Sequence, residues 1–329
     1  MKIAVIGSGK LGKRHLEVWS ELEGAEIVGI ITRNPAELKE LAEQYGTKAY
    51  GSISEALECT DVDVFDICTP TYTHLDSIKE IANAKKHVIC EKPLALNSDD
   101  AQEAIAVCEE NGVKLLVGHT LRFFPEYANA REQILKGAIG RTGIIRMERG
   151  VPHPPASNPW YADEKKSGGI FLDLGIHEFD WLLWTLGDVE RVMAQHVKHG
   201  DKDKGFLEYG LVTLKMADGT IAYVELSWAE TEFRTSFELT GNKGMITYNH
   251  EESNSLSLHI HSQETEAKSG VQIPGGLLEK DPYYRQLEHF LNCLLDKEDS
   301  IITAIEAGKA IKVAQAVVKS VELGQPVLV

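Results

Sequence analysis

The sequence has few of the features that mark secreted, membrane-spanning or nucleic-acid-binding proteins. Its five cysteines are odd in number and include no C-x-x-C pair, which is typical of buried free thiols in a reducing compartment. No charged-then-apolar leader follows Met1, and no uninterrupted apolar run reaches about 18 residues. We therefore expect a cytoplasmic protein without a membrane span.

Basic residues are also scarce relative to acidic ones. The chain has 34 Lys and Arg against 50 Asp and Glu, which gives a formal net charge of −16. A surface this acidic repels nucleic-acid phosphates and anionic membranes, so neither is an expected partner. An anionic cofactor is still allowed, because a few local hydrogen-bond donors outweigh a distant mean field. The length of 329 residues and the 43% hydrophobic content suit about two domains.

The first third of the chain alternates Ile- and Val-rich runs with stretches of helical period. Six runs predict strands: Ile3–Ile6, Ile27–Ile31, Lys48–Tyr50, Val64–Ile67, His87–Cys90 and Lys114–Val117. Five stretches between them predict helices: Lys10–Ser20, Pro35–Tyr45, Ser54–Cys59, Leu75–Ala84 and Asp99–Glu110. Strands without strict alternation are typical of sheets covered on both faces, and the crossovers predict a doubly wound parallel sheet.

After about Arg122 the pattern changes. A helix near Pro125–Lys136, a strand at Thr142–Arg149 and a proline-rich loop at 151–159 precede a helix predicted over Phe171–Leu186. Five strand-like runs then follow, joined in part by hairpin turns at 217–219 and 241–244: Leu207–Lys215, Ile221–Trp228, Thr235–Leu239, Met245–Tyr248 and Ser255–Ile260. Helices near Tyr283–Leu295 and Ala304–Glu322 close the chain. Residues 122–329 are thus predicted to be an α+β domain with a large, mostly antiparallel open sheet.

The strongest local motif is Gly7-Ser8-Gly9-Lys10-Leu11-Gly12, which follows the first strand and opens a helix. Gly7 suits a tight turn, Gly9 the close approach of a pyrophosphate, and Gly12 the close packing of helix on strand. The helix N-terminus offers free N–H groups and the positive end of its dipole to the phosphates. Residues 1–121 are therefore predicted to be a dinucleotide-binding Rossmann domain, with Ser8, Lys10 and Leu11 also at the cofactor.

The end of the second strand lacks the carboxylate that usually binds the adenosine ribose of NAD about 20 residues beyond the glycines. Thr32 and Arg33 stand there instead. A threonine donates to a 2′-phosphate, and an arginine pairs with it or stacks on the adenine. The pattern favours NADP over NAD, with a solvated loop arginine as the alternative interpretation of Arg33.

Two further strand ends carry polar residues towards the same sheet edge. Thr69 and Pro70 predict a rigid turn beside the cofactor ribose, and His74 is expected to begin the next helix as a packing residue or a cofactor contact. Glu91-Lys92-Pro93 follows the fifth strand, which directs the lysine towards the nicotinamide. The Lys92–Pro93 peptide is a candidate for the cis isomer, although a Lys-Pro pair is more often a surface loop.

Asp173 and His177 are four residues apart in the predicted helix Phe171–Leu186, so both are expected on one face. A carboxylate beside an imidazole fixes its tautomer, which suits proton transfer near neutral pH. The alternative is a simple helical side-chain pair. No metal is predicted, because no further cluster of His, Cys and Asp with ligand spacing is evident. The glycines at 168 and 169 allow the backbone to approach a ligand closely.

Taken together, these motifs resemble the Gfo/Idh/MocA family, which includes glucose–fructose oxidoreductase, inositol dehydrogenases and many sugar dehydrogenases. The resemblance covers nearly the whole chain and rests on a series of motifs in order: Gly7-x-Gly9-x-x-Gly12, Thr69-Pro70 with His74, Glu91-Lys92-Pro93, the run from Gly118 to Phe123, and Gly168-Gly169 followed by Asp173-x-x-x-His177. It implies a homo-oligomer, a dimer or tetramer, formed through the open sheet.

The resemblance also implies a reaction: hydride transfer between NADP or NAD and a secondary alcohol or ketone carbon of a sugar, inositol or related polyol. Lys92, Asp173 and His177 would surround the reacting carbon. His177 would take the hydroxyl proton, oriented by Asp173, while Lys92 would stabilise the charge that develops on the oxygen. Glu91 is expected at the cofactor beside Lys92.

Substrate contacts are predicted at four residues, each of which is equally well interpreted as packing or loop surface: Arg122, His153, Trp160 and Tyr161. Trp160 is suited to stack on a sugar ring. Other hypotheses are a non-catalytic NAD(P)-binding sensor, a family member acting on a diol, a nucleotide-sugar or an imine, and one that uses its cofactor in a redox-neutral reaction. Intact Lys92, Asp173 and His177 argue against the sensor.

Overall fold

The structure is a computed structural model that describes residues 1–153, 159–201, 205–250, 256–260, 271–273 and 280–329. It divides into two units, residues 1–120 with 280–308 and residues 121–279 with 309–329. The boundary predicted between residues 121 and 122 lies one residue from the first division. The structure differs in that residues 280–308 return to the first unit, a return that no sequence signal marked.

Residues 1–120 alternate strands and helices. In chain order these are β1 (Lys2–Ile6), α1 (Lys10–Glu21), β2 (Glu26–Ile31), α2 (Pro35–Tyr45), β3 (Lys48–Tyr50), α3 (Ile53–Cys59), β4 (Val64–Ile67), α4 (His74–Asn83), β5 (His87–Glu91), α5 (Ser98–Asn111) and β6 (Leu115–Gly118). The six strands described here form one parallel sheet in the order β3-β2-β1-β4-β5-β6. The predicted doubly wound sheet is confirmed, and its strand order reverses between β1 and β4, where such sheets bind ligands.

Residues 121–279 contain the second sheet and the helices before it. The elements are α6 (Pro125–Leu135), β7 (Thr142–Gly150), α7 (Pro159–Ala162), α8 (Glu164–Ser167), α9 (Gly169–Asp173), α10 (Ile176–Leu186), β8 (Val189–Asp201), β9 (Gly205–Met216), β10 (Ile221–Ser227), β11 (Arg234–Gly241), β12 (Gly244–Asn249), β13 (Leu256–Ile260) and β14 (Val271–Ile273). Residues 280–329 add α11 (Pro282–Leu294), α12 (Ala304–Leu323) and β15 (Val327–Leu328).

The second sheet has nine described strands in the order β14-β13-β12-β11-β7-β10-β9-β8-β15. β7 and β10 pair in parallel at its centre, and every other neighbouring pair is antiparallel. The predicted open, mostly antiparallel sheet is confirmed. Along β10, Ile221, Tyr223 and Glu225 are exposed while the residues between them are buried, so one face of the sheet packs internally and the other is open.

The predicted helix Phe171–Leu186 is instead two helices, α9 and α10, interrupted at Leu174 and Gly175. The Gly175 N–H donates to the carbonyl of Ile170, five residues back (3.0 Å), so the regular four-residue ladder is broken there. A Cβ at Gly175 would lie 2.7 Å from the Phe171 carbonyl oxygen, so a glycine is needed where the two helices pack closely.

Strand β8 is not predicted by the sequence pattern. Its register against β9 shifts between Val189 and Arg191, so the alternation of buried and exposed residues breaks at its start. Polar residues then fill much of its length. Among the helices that the structure describes, none is both long enough and apolar enough to cross a membrane.

Candidate active site

The turn between β1 and α1 has the geometry of a phosphate cradle. Gly7 has a left-handed φ of +108°, and its N–H donates to the Ile31 carbonyl of β2 (2.9 Å). A Cβ at Gly7 would lie 2.8 Å from the Cys68 carbonyl oxygen, and one at Gly12 would overlap the carbonyl of Gly7. No atom lies within 4 Å of the Cβ position of Gly9, which leaves room above the turn. These three glycines therefore fit the close approach of a pyrophosphate.

The N-terminus of α1 favours an anion. Gly9 is its N-cap, and no acidic residue lies in its first turn. The side chain of Lys10 in that turn is exposed and that of Leu11 is half-buried. The free N–H groups of a helix start, together with a local positive charge, provide what a pyrophosphate requires.

The end of β2 joins the glycine turn through hydroxyl groups. The Ser8 and Thr32 hydroxyls are 2.7 Å apart, and the Thr32 Oγ1 accepts the Asn34 N–H (3.2 Å). Thr32 is buried, whereas Arg33 is exposed. The two residues that predict the cofactor preference are thus in different environments, and the Thr32 hydroxyl is already bonded within the fold.

A carboxylate that the sequence pattern did not single out lies beside this group. Glu37, in the first turn of α2, has its Oε1 3.5 Å from the Lys13 Nζ. Contact with the Ser8 hydroxyl, aided by Lys13 and Asn34, holds the pKa of Glu37 below its usual value against the opposing effect of burial. The adenosine end of the site therefore holds the negative charge of Glu37 as well as the positive charges of Lys13 and Arg33.

His74 connects two loops of the first unit. It begins α4 as predicted, is 1% exposed, and its Nδ1 and Nε2 lie 2.9 Å from the Pro93 carbonyl and 2.8 Å from the Thr69 carbonyl. Burial lowers the pKa of His74, against the opposing effect of the two carbonyls. Since both ring nitrogens are engaged, the structure favours the packing interpretation over a cofactor contact. His74 holds the Thr69-Pro70 turn against the loop after β5.

Glu91 is likewise directed inwards. It is 3% exposed, and its carboxylate accepts the Gln286 Nε2 and the Lys92 backbone N–H, each at 3.2 Å. The expectation that the Glu91 side chain contacts the cofactor is therefore corrected, because its carboxylate binds these two donors inside the unit. Lys92 itself is half-buried, and the peptide between it and Pro93 is cis, as predicted.

A cluster of three potential metal ligands lies beneath the glycine turn: His15, Asp66 and Cys68. The His15 Nδ1 is 2.8 Å from the Asp66 Oδ2 and 3.2 Å from the Cys68 Sγ, and Asp66 also accepts the Trp19 indole N–H (2.7 Å). Burial raises the pKa of Cys68 to about 12, so the thiol stays protonated. The Nδ1 of His15 is already engaged by Asp66 and Cys68, and a protonated thiol is a poor metal ligand.

His177 is more exposed than the residues around it. From Gly169 to Leu182 every residue is buried except His177, which is half-buried near the start of α10. Asp173 is the last residue of α9 and is 9% exposed. The prediction that one continuous helix carries both was wrong, because the chain breaks its ladder between them. Phe171 anchors α9 on the sheet, since a Cβ at Gly210 would overlap its ring.

The structure corrects the substrate role expected for Arg122. Its guanidinium is 1% exposed and binds both oxygens of Asp180, at 2.8 Å through Nε and 2.6 Å through Nη2. It also lies 5.1 Å from the ring centroid of Trp184. A guanidinium in a buried bidentate ion pair serves internal packing, which was the alternative to a substrate contact.

The other predicted substrate residues are half-buried. The rings of Trp160 and Tyr161 stack with centroids 3.9 Å apart, so one face of Trp160 is covered by its neighbour. The His153 ring lies edge-on to Trp228, with 6.2 Å between centroids. Residues 154–158 of the predicted specificity loop lie outside the described residues. These side chains therefore remain candidates rather than an assembled subsite.

The known proteins to which this chain is similar agree with this geometry. Residues 1–119 match the model of an oxidoreductase family with an NAD-binding Rossmann fold, and residues 127–247 match the GFO/IDH/MocA C-terminal domain. The chain belongs to the Gfo/Idh/MocA family. The expected resemblance is thereby confirmed over most of the chain.

Individual known proteins match over nearly the full length of this Gfo/Idh/MocA chain. A myo-inositol 2-dehydrogenase from Thermotoga maritima is 29% identical, with 98% of this chain and 96% of the relative covered. A crystal structure of a probable dehydrogenase from Thermotoga maritima has a TM-score of 0.84 at 28% identity, covering 100% of this chain and 98% of the other. Levoglucosan dehydrogenase in complex with NADH and L-sorbose has a TM-score of 0.88 at 21% identity, with 100% and 98% covered, which shows the fold alone.

Sequence reasoning missed four residues that shape the first unit of this Gfo/Idh/MocA chain. His15 and Glu37 had local signals, because His15 follows Gly12 by three residues in α1 and Glu37 lies in the first turn of α2. Asp66 lies inside an apolar run, where a lone carboxylate is itself a sign of a buried partner. Gln286 had no local signal, since its partner Glu91 is 195 residues away.

Proposed function

We propose that this protein is an NAD(P)-dependent dehydrogenase that acts on a secondary alcohol or ketone carbon of a sugar, inositol or related polyol. The observation that carries the proposal is the sheet edge of the first unit. There the glycine cradle after β1 and the lysine after β5 follow the carboxyl ends of strands in one parallel sheet. The myo-inositol 2-dehydrogenase named above supports the substrate class.

The proposed chemistry divides between carbon and oxygen. A bound nicotinamide dinucleotide supplies the acceptor or donor of the hydride. In the oxidation, His177 takes the proton of the substrate hydroxyl, and Asp173 keeps the imidazole in the tautomer that accepts it. Lys92 donates a hydrogen bond to the same oxygen and stabilises the negative charge that develops there. In the reduction, His177 returns the proton.

The preference between cofactors rests on the adenosine end. Thr32 and Arg33 alone favour NADP, but the Glu37 carboxylate lies near the end of β2, the region that meets the adenosine ribose in Rossmann sites. Its charge repels a 2′-phosphate and pairs with Lys13, 3.5 Å away, while a carboxylate accepts a hydrogen bond from a 2′-hydroxyl. We therefore reverse the sequence-based preference and propose NAD as the tighter-binding cofactor.

The open face of the second sheet supports the proposed homo-oligomer, a dimer or tetramer. Large apolar side chains are exposed on β9 and β10, among them Leu207, Leu211, Ile221 and Tyr223. An apolar face of this kind marks an association surface, and a second copy of the chain is the proposed occupant. We propose a cytoplasmic enzyme whose other partner is the small-molecule substrate.

The test is a panel of sugars, inositols and their keto forms, with NAD and NADP, in both directions at 340 nm. Turnover should be faster with NAD, and Glu37→Gln should raise the affinity for NADP while lowering that for NAD. Lys92→Ala and His177→Ala should each lower kcat by about 10²- to 10⁴-fold. Their cofactor affinity, followed by fluorescence, should stay within about threefold, since neither side chain is proposed to hold the adenosine or pyrophosphate.

Two outcomes would contradict the proposal. Loss of cofactor binding or of folding in Lys92→Ala would make Lys92 a structural residue. No turnover across the panel, with cofactor binding intact, would favour the non-catalytic sensor or a substrate outside the polyols.

A further inference from the structure

A buried cluster of charge connects the glycine helix to the catalytic lysine proposed above. His15 of α1 is completely buried, with its Nδ1 2.8 Å from the Asp66 Oδ2 and its Nε2 3.3 Å from the Glu91 Oε1. The two carboxylates are themselves 0% and 4% exposed. One imidazole therefore lies between two buried carboxylates of neighbouring strands, β4 and β5.

The imidazole of His15 carries the compensating charge. Burial alone would lower the pKa of His15, but the charge and hydrogen bond of Asp66 and the contact with Cys68 together outweigh it, and the pKa is raised well above its usual value. The Cys68 thiol on the same side stays protonated and neutral, and the Tyr283 ring of α11 lies 6.1 Å away. With two carboxylates facing it and no competing cation among these groups, the imidazole is expected to be doubly protonated at neutral pH.

The second carboxylate of the cluster fixes the backbone of Lys92. The Glu91 Oε2 accepts the Lys92 N–H (3.2 Å), and its Oε1 accepts the Gln286 Nε2 (3.2 Å). Gln286 is held in turn by the Thr120 hydroxyl (2.9 Å). A Cβ at Gly118 would overlap the Glu91 carboxylate, so the glycine in the neighbouring strand β6 leaves the space that this carboxylate fills. The position of Glu91 therefore sets the position of the next residue, Lys92.

We propose that His15 is a positioning residue for Lys92: its imidazolium attracts Glu91 from below and so holds the Lys92 backbone at the end of β5. This inference rests on the catalytic role proposed for Lys92. His15 touches neither the proposed substrate nor the reacting atoms. Its effect passes through one carboxylate, and the Lys92 amide hydrogen bond reports on it directly.

The first readout is hydrogen exchange of the Lys92 amide in the wild-type protein and in His15→Gln, which keeps a polar side chain but removes the charge. Exchange at Lys92 should accelerate at least about tenfold, while the Val88 amide of the same strand, bonded to the Lys114 carbonyl (2.9 Å), should change little. The matched control is His87→Gln at the opposite end of β5, which should leave the Lys92 amide unchanged. Equal acceleration at Val88 and Lys92, or no acceleration at Lys92, would overturn the inference.

The second readout is catalysis. His15→Gln should lower kcat by about 10- to 100-fold, because a small misplacement of a catalytic group has an effect of this order, and should leave the Kd for NAD within about threefold. His87→Gln should keep the wild-type kcat. An unchanged kcat in His15→Gln would overturn the inference and leave the proposed function standing.

The third readout needs no variant to be active. The imidazole ¹³C shifts of His15, assigned through its bonds to the backbone in the wild-type protein, should show the doubly protonated ring at pH 7.5. A neutral ring at that pH would overturn the inference even if His15→Gln failed to fold. If wild-type protein turned over no substrate, the proposed function would fall, while the exchange and NMR results would still decide whether His15 holds Lys92.

Discussion

The two units bury charge in different ways. In the first, one histidine lies between two carboxylates, Asp66 and Glu91. Its charge exists only while the imidazole is protonated, so the balance of the cluster depends on pH. The cluster also holds one more potential negative charge than positive charge, and neutral donors such as Trp19 and Gln286 make up the difference.

In the second unit, each buried arginine has its own carboxylate. Arg122 binds Asp180 through two hydrogen bonds, and the Arg149 Nε donates to the Glu178 Oε1 (2.6 Å). A guanidinium does not deprotonate in proteins, so the positive charge of each pair is permanent. The second unit thus has a permanent ionic framework, whereas the first has a titratable one beside its proposed catalytic lysine.

The largest expected effect comes from breaking a permanent pair. Asp180→Asn leaves the buried Arg122 without a counter-charge and should lower the free energy of unfolding by about 3–5 kcal/mol. Urea denaturation at pH 6.5, 7.5 and 8.5 should give the same loss each time, because the guanidinium does not titrate. Replacing both partners, as in Arg122→Met with Asp180→Leu, should restore most of the stability. A loss below about 1 kcal/mol would mean that the pair is not an essential part of the framework.

The next effect concerns the titratable cluster. The unfolded pKa of a histidine is about 6.5, and the folded pKa of His15 lies well above it, so the folded state binds one more proton between these values. The contribution of His15 is fully present below pH of about 6.5 and is lost as the pH rises, by about 1.4 kcal/mol per unit up to the folded pKa. A plot of the free energy of unfolding against pH should therefore fall less steeply for His15→Gln than for the wild type, by that slope, between pH 6.5 and 8.5. Parallel curves for the two proteins would refute a charged His15.

The smallest effect should appear at acid pH in the second unit. Burial alone would raise the pKa of Glu208, but the hydrogen bond from His196 (3.1 Å) and the charge of Lys198 outweigh it, and the pKa lies below its usual value. Glu208 therefore stabilises the fold above the unfolded pKa of about 4.3, and this contribution is lost as the pH falls. Glu208→Gln should be less stable than wild type at pH 7 and converge with it near pH of about 3. A difference that grew on acidification would contradict this assignment.

The parts of this protein that could be predicted from sequence are those that depend on neighbouring residues. The tight turn at Gly7, the helix that starts at His74 and the cis peptide before Pro93 all follow from local backbone preferences. The parallel sheet follows from apolar runs at regular spacing. Even the missed Glu37 lies in the first turn of a predicted helix, α2, which follows the end of β2 closely.

What could not be predicted depends on distant residues or on packing. His15 meets Asp66 across 51 residues, and Gln286 meets Glu91 across 195, and neither pairing leaves a local pattern. The break between α9 and α10 arises because the chain packs closely at Gly175, which spacing alone cannot reveal. Arginine is a residue type that often binds ligands, and only the contact of Arg122 with Asp180 identifies it as part of the core.

Because residues 280–308 belong to the first unit, that unit is completed late in the synthesis of the chain. Strands β1 to β6 leave the ribosome first, yet α11, which brings Gln286 to Glu91 and Asp281 to Arg14, follows only after strands β7 to β14 of the second sheet. The nascent Rossmann unit therefore waits for more than 150 residues of later synthesis before its last helix can dock. The lysine loop therefore gains the support of Gln286 only once α11 has been made, so a chain that stops before α11 is not expected to act as a partial enzyme.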